Sequence, residues 1–215
     1  FNQLIIPFGK RSDILLSDGS RVRLNSGSRL VYPPVFKGKS REVLLEGEAY
    51  FEVSENKDKP FFVRTESFRI KVLGTRFVVQ AYKNEQQSAV LVEGKVSLTA
   101  GNSKTRANTC ELLPNQKATF SEAKDDFSII NIENAESYFA WIHGYLNIEN
   151  ESLVSLAKRV SRYYNIDIEV KAENTTSTFS GKLDLKEEPE RILDGLSVIF
   201  RTKYEKQGEK FVVHE

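Results

Sequence analysis

Histidine and cysteine, which often form metal sites and nucleophilic catalytic sites, are few in this chain and do not cluster in the sequence. There are two histidines, His143 and His214, and a single cysteine, Cys110. A zinc site or a histidine-based catalytic site needs Cys, His or carboxylate partners at short spacing, and neither histidine has them. One thiol can form neither an internal disulfide nor a thiolate metal site. The sequence therefore predicts no catalytic residue, no metal and no cofactor.

Motifs for phosphate binding and nucleophilic catalysis are missing as well. The chain contains no G-x-S-x-G, no P-loop and no dinucleotide-binding glycine fingerprint. Basic and acidic residues are interspersed and number 31 and 30, which argues against a nucleic-acid-binding protein. The charged stretches 37–41 and 57–60 have the composition of solvated turns.

Two similar segments, residues 43–51 and 90–98, must be explained by the fold. Each has an apolar run, then Glu-Gly, then a run that alternates apolar and polar residues. A glycine between two strand-like runs supplies the positive φ that a tight turn needs, so Glu46-Gly47 and Glu93-Gly94 each predict a β-hairpin. Repeated hairpins favour a coiled or stacked β-architecture, either a sandwich or a solenoid-like fold, of the kind used for binding or signalling.

The two parts of the chain differ in secondary-structure pattern. Residues 10–131 predict many short strands separated by Gly or Asp turns. One such turn is Asp18-Gly19, and the run after it alternates apolar and polar residues, with Val22 and Leu24 expected to face inward. From residue 133 onward the pattern predicts the order β-α-β-β-α-β-β, with one helix over 153–164 capped by Asn150 and another that opens at Pro189. We therefore predict a mainly β domain over residues 1–132 and a small α+β domain over residues 133–215.

The chain has no methionine and no long apolar run. The apolar runs are too short to span a membrane. Because a complete translated protein normally starts with Met, we expect this sequence to be a fragment. A signal peptide, a membrane helix or another N-terminal domain would then lie outside it.

Several segments, taken in order, resemble the periplasmic region of FecR-type anti-sigma regulators, and most of all the branch found in Bacteroidetes. They are residues 16–30, 41–53, 60–63, 72–77, 91–96, 113–116, 141–144 and 153–164. These segments cover nearly the whole chain. One position departs from the family pattern, which usually has Gly after Pro114; this chain has Asn115, a residue that tolerates positive φ.

The resemblance implies a non-enzymatic receiver of signals. Regulators of this type cross the inner membrane once and hold an extracytoplasmic-function sigma factor with a cytoplasmic domain. Their periplasmic region contacts the N-terminal signalling domain of an outer-membrane TonB-dependent transporter. The predicted α+β domain resembles the secretin and TonB short N-terminal fold. The sigma-binding domain and the membrane anchor are expected outside this chain.

The resemblance also singles out the Gly74-Thr75 bond. Some family members are described as cleaving themselves at a Gly-Thr bond, where the hydroxyl attacks the preceding carbonyl in an N-to-O acyl shift. Glycine permits the strained backbone of such a shift, and an activated Thr oxygen is the nucleophile. The sequence offers no obvious base to activate Thr75, so a structural bulge or tight bend is the competing interpretation.

A partner-binding edge is predicted at the end of the chain. The hairpin over residues 203–214 would leave an open strand edge with which a partner strand could pair, and Phe211 and Val213 would share one face there. The competing interpretation is that this strand is already paired within its domain. The alternative function is that of an envelope carbohydrate-binding or adhesin β-protein, which would need an exposed aromatic platform; the sole tryptophan, Trp141, suits a core or hinge position better.

Overall fold

The protein forms two compact units in a computed structural model that describes residues 1–101, 108–171 and 177–214. The first unit contains Phe1–Pro7 and Arg11–Phe139, and the second contains Phe8–Lys10 and Ala140–Glu215. The first is built from strands and the second from strands and helices, so the predicted fold class is confirmed. In the described ranges, no helix is long and apolar enough to cross a membrane.

Over the described residues of the first unit, the regular secondary structure consists almost entirely of strands. Their bounds are β1 (Asn2–Ile5), β2 (Ser12–Leu15), β3 (Arg21–Leu24), β4 (Arg29–Tyr32), β5 (Arg41–Glu52), β6 (Phe61–Arg64), β7 (Phe68–Val72), β8 (Arg76–Ala81), β9 (Ser88–Glu93), β10 (Val96–Ala100), β11 (Thr109–Leu112), β12 (Gln116–Ser121) and β13 (Asp126–Asn131). In β3 the predicted alternation is observed, with Val22 and Leu24 buried.

The strands of the first unit form two sheets that share β5. Sheet I has the order β1-β4-β5-β6-β7-β10-β11, and sheet II has the order β2-β3-β5-β8-β9-β12-β13. Neighbouring strands are antiparallel except for the parallel pair β5 and β6. The first half of β5 pairs within sheet I and its second half pairs within sheet II. This long strand is the structural link between the two sheets.

The two sheets pack their apolar faces against each other. In the shared core the Phe51 ring of sheet II stacks on Phe77 at a centroid distance of 5.0 Å and meets Phe61 of sheet I at 6.4 Å. Phe68 and Phe120 make a second contact across the layers, with centroids 5.9 Å apart. Aromatic pairs at these separations add to the free energy gained from burying their area. The first unit is thus a two-layer β-sandwich.

The two predicted Glu-Gly hairpins are wrong. β5 runs straight through Glu46-Gly47, and Gly47, with φ of 103°, lies where the strand passes from sheet I to sheet II. Gly94, with φ of 94°, follows β9 of sheet II and precedes β10 of sheet I, and these two strands do not pair with each other. A positive φ can occur at a corner between two sheets as well as in a hairpin turn. The local sequence pattern could therefore not distinguish a corner from a hairpin.

Asn115 fixes the segment that leaves the sandwich. It has the positive φ that its side chain tolerates, 59°, and its carbonyl accepts a 2.9 Å hydrogen bond from Ile132 N–H. Its side-chain oxygen accepts a 3.2 Å hydrogen bond from the N–H of Ala135, where a 3₁₀ helix (Ala135–His143) begins. Further along, the Phe139 ring stacks on Tyr50 at 4.3 Å. The departure from the family pattern therefore adds an acceptor at a helix start, where N–H groups lack partners.

The second unit has the predicted order β-α-β-β-α-β-β. Its elements are β14 (Tyr145–Ser152), α1 (Leu153–Tyr164), β15 (Asp167–Val170), β16 (Thr178–Asp184), α2 (Pro189–Phe200), β17 (Lys203–Gln207) and β18 (Lys210–His214). β14 and β16 form an antiparallel pair, and a second sheet has the order β15-β18-β17, with β15 parallel to β18. Leu156, Val160, Leu196 and Val213 are among the residues of its core.

The helix α1 has the predicted bounds, but its N-cap differs from the prediction. Ser152, not Asn150, is the N-cap, and its hydroxyl accepts a hydrogen bond from Ser155 N–H. The strand β14 continues to Ser152 because it keeps pairing with β16, so the cap lies two residues beyond the predicted one. Asn150 instead has φ of 51° at an irregularity of that pairing. Pro189 occupies the first turn of α2, as predicted.

Candidate functional site

The Gly74-Thr75 bond lies at a crowded corner between β7 and β8. A Cβ built on Gly74 would lie 2.7 Å from Cα of Glu55, so only glycine fits this close approach of two main chains. A Cβ built on Gly94 would in turn lie 2.9 Å from the carbonyl oxygen of Gly74. Two glycines thus allow three chain segments to meet. This geometry supports the interpretation of Gly74 as a tight bend.

Thr75 is buried in that corner, with 5% of its surface exposed. Its hydroxyl donates a 3.1 Å hydrogen bond to the main-chain carbonyl of Lys95, and its own carbonyl accepts a 3.0 Å bond from Val53 N–H. A nucleophilic hydroxyl needs a base that removes its proton. In the described part of the chain, the partner of the hydroxyl is that main-chain carbonyl, which is no base.

The buried side chain of Arg41 hydrogen-bonds main-chain carbonyls around the same corner. It is 1% exposed, so its placement in a solvated charged turn is wrong. Its Nε donates to the carbonyl of Lys59 at 2.8 Å, and its Nη1 donates to Asp18 Oδ2 at 2.7 Å and to the carbonyl of Ser54 at 2.8 Å. Its Nη2 reaches the carbonyl of Leu73, just before Gly74, at 3.5 Å. The planar fork of donors on one guanidinium suits this set of acceptors.

The carboxylate of Asp18 completes this buried network. Asp18 accepts hydrogen bonds from the N–H and the hydroxyl of Ser20, within the predicted Asp-Gly turn. The Ser20 hydroxyl accepts in turn from Ser54 N–H at 3.0 Å. The ion pair therefore ties the first turn of sheet II to the start of β5 and to the Gly74 corner. We call Asp18, Ser20, Arg41 and Ser54 the Arg41 network.

Phe211 and Val213 lie on one face of β18, as predicted, but that strand is the centre of its sheet. β15 pairs with one edge of β18 and β17 with the other. Both side chains are buried. The sequence could not reveal this, because the partner strand β15 is distant in the chain. Among the described residues, the terminal hairpin does present an edge, and it is that of β17.

The surroundings of Cys110 and Trp141 in the structure fit a packing role for both residues. Burial, together with the nearby charge of Asp126, raises the pKa of the Cys110 thiol to about 11, so the thiolate nucleophile is scarce at neutral pH. Over the described ranges, no group of three or more His, Cys, Asp or Glu side chains could hold a metal. Trp141 is 3% exposed, so it provides no aromatic platform for a glycan.

Comparisons with known sequences match both parts of the chain. The family model for the FecR protein matches residues 3–97, from β1 into β10, and the model for the FecR C-terminal region matches residues 145–213, from β14 into β18. Together they cover well over half of the sequence. The chain belongs to the FecR family.

Solved structures agree with this membership of the FecR family. Two crystal structures of a candidate anti-sigma factor from Parabacteroides distasonis, at 1.65 and 2.50 Å resolution, are similar to this chain with TM-scores of 0.91 and 0.90. Each is 27% identical in sequence, and the alignments cover 100% of this chain and 99% and 98% of the other. A comparison with curated proteins gave no match. The resemblance to FecR-type anti-sigma regulators is confirmed, and with it a role as a signalling regulator.

Proposed function

We propose that this FecR-family chain is the periplasmic signal-receiving region of a single-pass inner-membrane anti-sigma factor. Its partner is the N-terminal signalling domain of an outer-membrane TonB-dependent transporter. The output is control of an extracytoplasmic-function sigma factor, held by a cytoplasmic domain outside this chain. The observation that carries the proposal is the match of both units to FecR-family regions, together with a full-length structural likeness to a candidate anti-sigma factor.

We assign reception to the edge strand β17 of the second unit. Within the described ranges β17 pairs with β18 alone. Apart from the half-buried Tyr204, its residues are exposed. An open edge presents main-chain N–H and C=O groups with which an extended strand of a partner can pair. This keeps the predicted terminal hairpin as the contact region and moves the contact from Phe211 and Val213 to the neighbouring strand.

The hairpin geometry identifies the main-chain groups that a partner would use. Gln207 pairs with Lys210 across a two-residue turn, and the residues that flank such a turn exchange both hydrogen bonds. The bonding direction alternates along a strand, so the N–H and C=O of Tyr204 and Lys206 face away from β18. The Lys206 side chain makes an exposed ion pair with Glu190 at 3.2 Å.

Lys206→Pro is expected to weaken binding of the transporter's signalling domain about tenfold, the equivalent of one or two lost main-chain hydrogen bonds. Proline removes the outward N–H and leaves the pairing with β18 intact. Lys206→Ala is the matched control: it removes the same charge and ion pair, and we expect a change within about twofold. Calorimetric titration of each variant measures both effects. Equal affinities of the two variants would contradict a strand-pairing role for β17.

We also predict that the chain remains uncut at Gly74-Thr75. The buried hydroxyl of Thr75 is bonded to a main-chain carbonyl, so the surroundings described provide no activation for the acyl shift. Intact mass after long incubation should show one species. Two fragments, one ending at Gly74 and the other beginning at Thr75, would contradict this prediction. Loss of that cleavage in Thr75→Ala would then identify it as self-cleavage.

A further inference from the structure

A second open edge lies on the first unit, at β13 of sheet II. In the described part of the chain β13 pairs with β12 alone. The N–H of Phe120 on β12 donates to Gln87 on the side of β9, and the N–H of Ile132, just after β13, donates to Asn115 on the side of β12. Because bonding directions alternate along a strand, the main-chain groups of Ile129 and Asn131 face outward from the sheet.

The centre of this edge lacks the basic side chains and prolines with which proteins often protect edge strands. The sequence of β13 is DFSIIN, without lysine, arginine or proline. Its two isoleucines are exposed on opposite faces, Ile129 by 38% and Ile130 by 51%. A strand of this kind is a ready template for pairing with another strand. Partner side chains could contact Ile129 on one face and Ile130 on the other.

The charges around the β13 edge indicate which kind of segment could pair with it. Between residues 122 and 136 there are five exposed acidic residues and one lysine: Glu122, Lys124, Asp125, Asp126, Glu133 and Glu136. The acids stand at both ends of β13. In an antiparallel pairing of two copies, the Asp126 end of one would meet the Glu133 end of the other, and like charges would oppose association.

We infer that β13 is a docking edge for an extended segment of another protein, with apolar residues in alternation and basic residues at both ends. The alternating apolar residues would cover the two isoleucines, and the basic ends would meet the acidic ends of the strand. This edge belongs to the β-sandwich and is distinct from the β17 edge that we assign to the transporter.

A synthetic peptide tests this inference with the full 215-residue chain. The peptide has alternating valine and threonine in its centre and two lysines at each end, and a comparison peptide has glutamates in place of the lysines. We expect saturable binding of the lysine peptide, with slowed amide exchange at Ile129 and Asn131. Ile129→Pro should weaken it about tenfold, whereas the matched control Ile129→Ala should change it within about threefold.

Charge reversal separates specific docking from a change in folding. In the double variant Asp126→Lys, Glu133→Lys, preference should switch to the glutamate peptide, by about tenfold. A switch of this sign cannot come from loss of structure. Absence of slowed exchange in β13, or equal affinities for both peptides in both proteins, would overturn the inference. A concentration-dependent dimer that protects β13 in the chain alone would also overturn it, since a second copy would then occupy the edge.

Discussion

Replacement of Arg41 by methionine is expected to lower the free energy of unfolding by about 3–5 kcal/mol, the loss typical when one partner of a buried ion pair is removed. Methionine fills similar space but leaves the carboxylate of Asp18 without its cation and the carbonyls of Lys59 and Ser54 without their donor. A charged or polar group without a hydrogen-bond partner lowers the free energy of unfolding most when it is buried. Urea unfolding followed by circular dichroism measures the change.

A surface arginine of sheet I provides the control for Arg41. Arg64 forms a 2.6 Å ion pair with Glu42, but its side chain is 48% exposed. Exposed pairs contribute at most about 1 kcal/mol, so Arg64→Met should be nearly neutral. The double variant Asp18→Asn, Arg41→Met should lose less than the sum of its single variants, because the two residues share one interaction. Equal losses for Arg41→Met and Arg64→Met would contradict the importance of the Arg41 network.

Gly47→Ala is expected to destabilise the chain by about 2–5 kcal/mol. A φ of 103° costs any residue with a Cβ about 1–2 kcal/mol, and forced overlap in a packed region costs about 1–3 kcal/mol more. The overlap is with Ser28: the new Cβ would lie 2.6 Å from its Cα and 2.5 Å from its hydroxyl oxygen. Ser28 cannot move freely, because its hydroxyl bonds both the N–H and the carbonyl of Glu48.

Gly38→Ala is the matched control for this effect. Gly38 has a similar positive φ of 80°, but an added Cβ would have nothing within 4 Å. It should therefore show the dihedral cost alone, about 1–2 kcal/mol. The difference between the two variants in thermal and urea unfolding measures the close approach at the point where β5 passes between sheets. Gly47→Ala as mild as Gly38→Ala would contradict the role assigned to that corner.

The sequence was most informative where structure depends on neighbours in the chain. The alternation of Val22 and Leu24 specified a strand, and Pro189 marked the start of a helix, because both signals are local. The change of pattern near residue 133 separated a β part from an α+β part, and the family resemblance added the expected signalling role.

The sequence was least informative where structure depends on distant segments. Gly47 and Gly94 signalled positive φ correctly, but only pairing across the sandwich shows that they form corners instead of hairpins. Arg41 looked like part of a solvated turn, because its acceptors come from residues 18, 54, 59 and 73, far along the chain. Phe211 and Val213 looked like edge residues, because the parallel partner strand β15 is remote in sequence.

The central claim is that the second unit receives the signal, and hydrogen exchange of the complex tests it most directly. The 215-residue chain would be measured with and without the N-terminal signalling domain of the TonB-dependent transporter encoded beside it. We predict saturable slowing of exchange in the second unit, greatest at the amides of Tyr204 and Lys206, with the strands of the sandwich unchanged. No slowing with that domain, or slowing confined to the sandwich, would contradict the assignment.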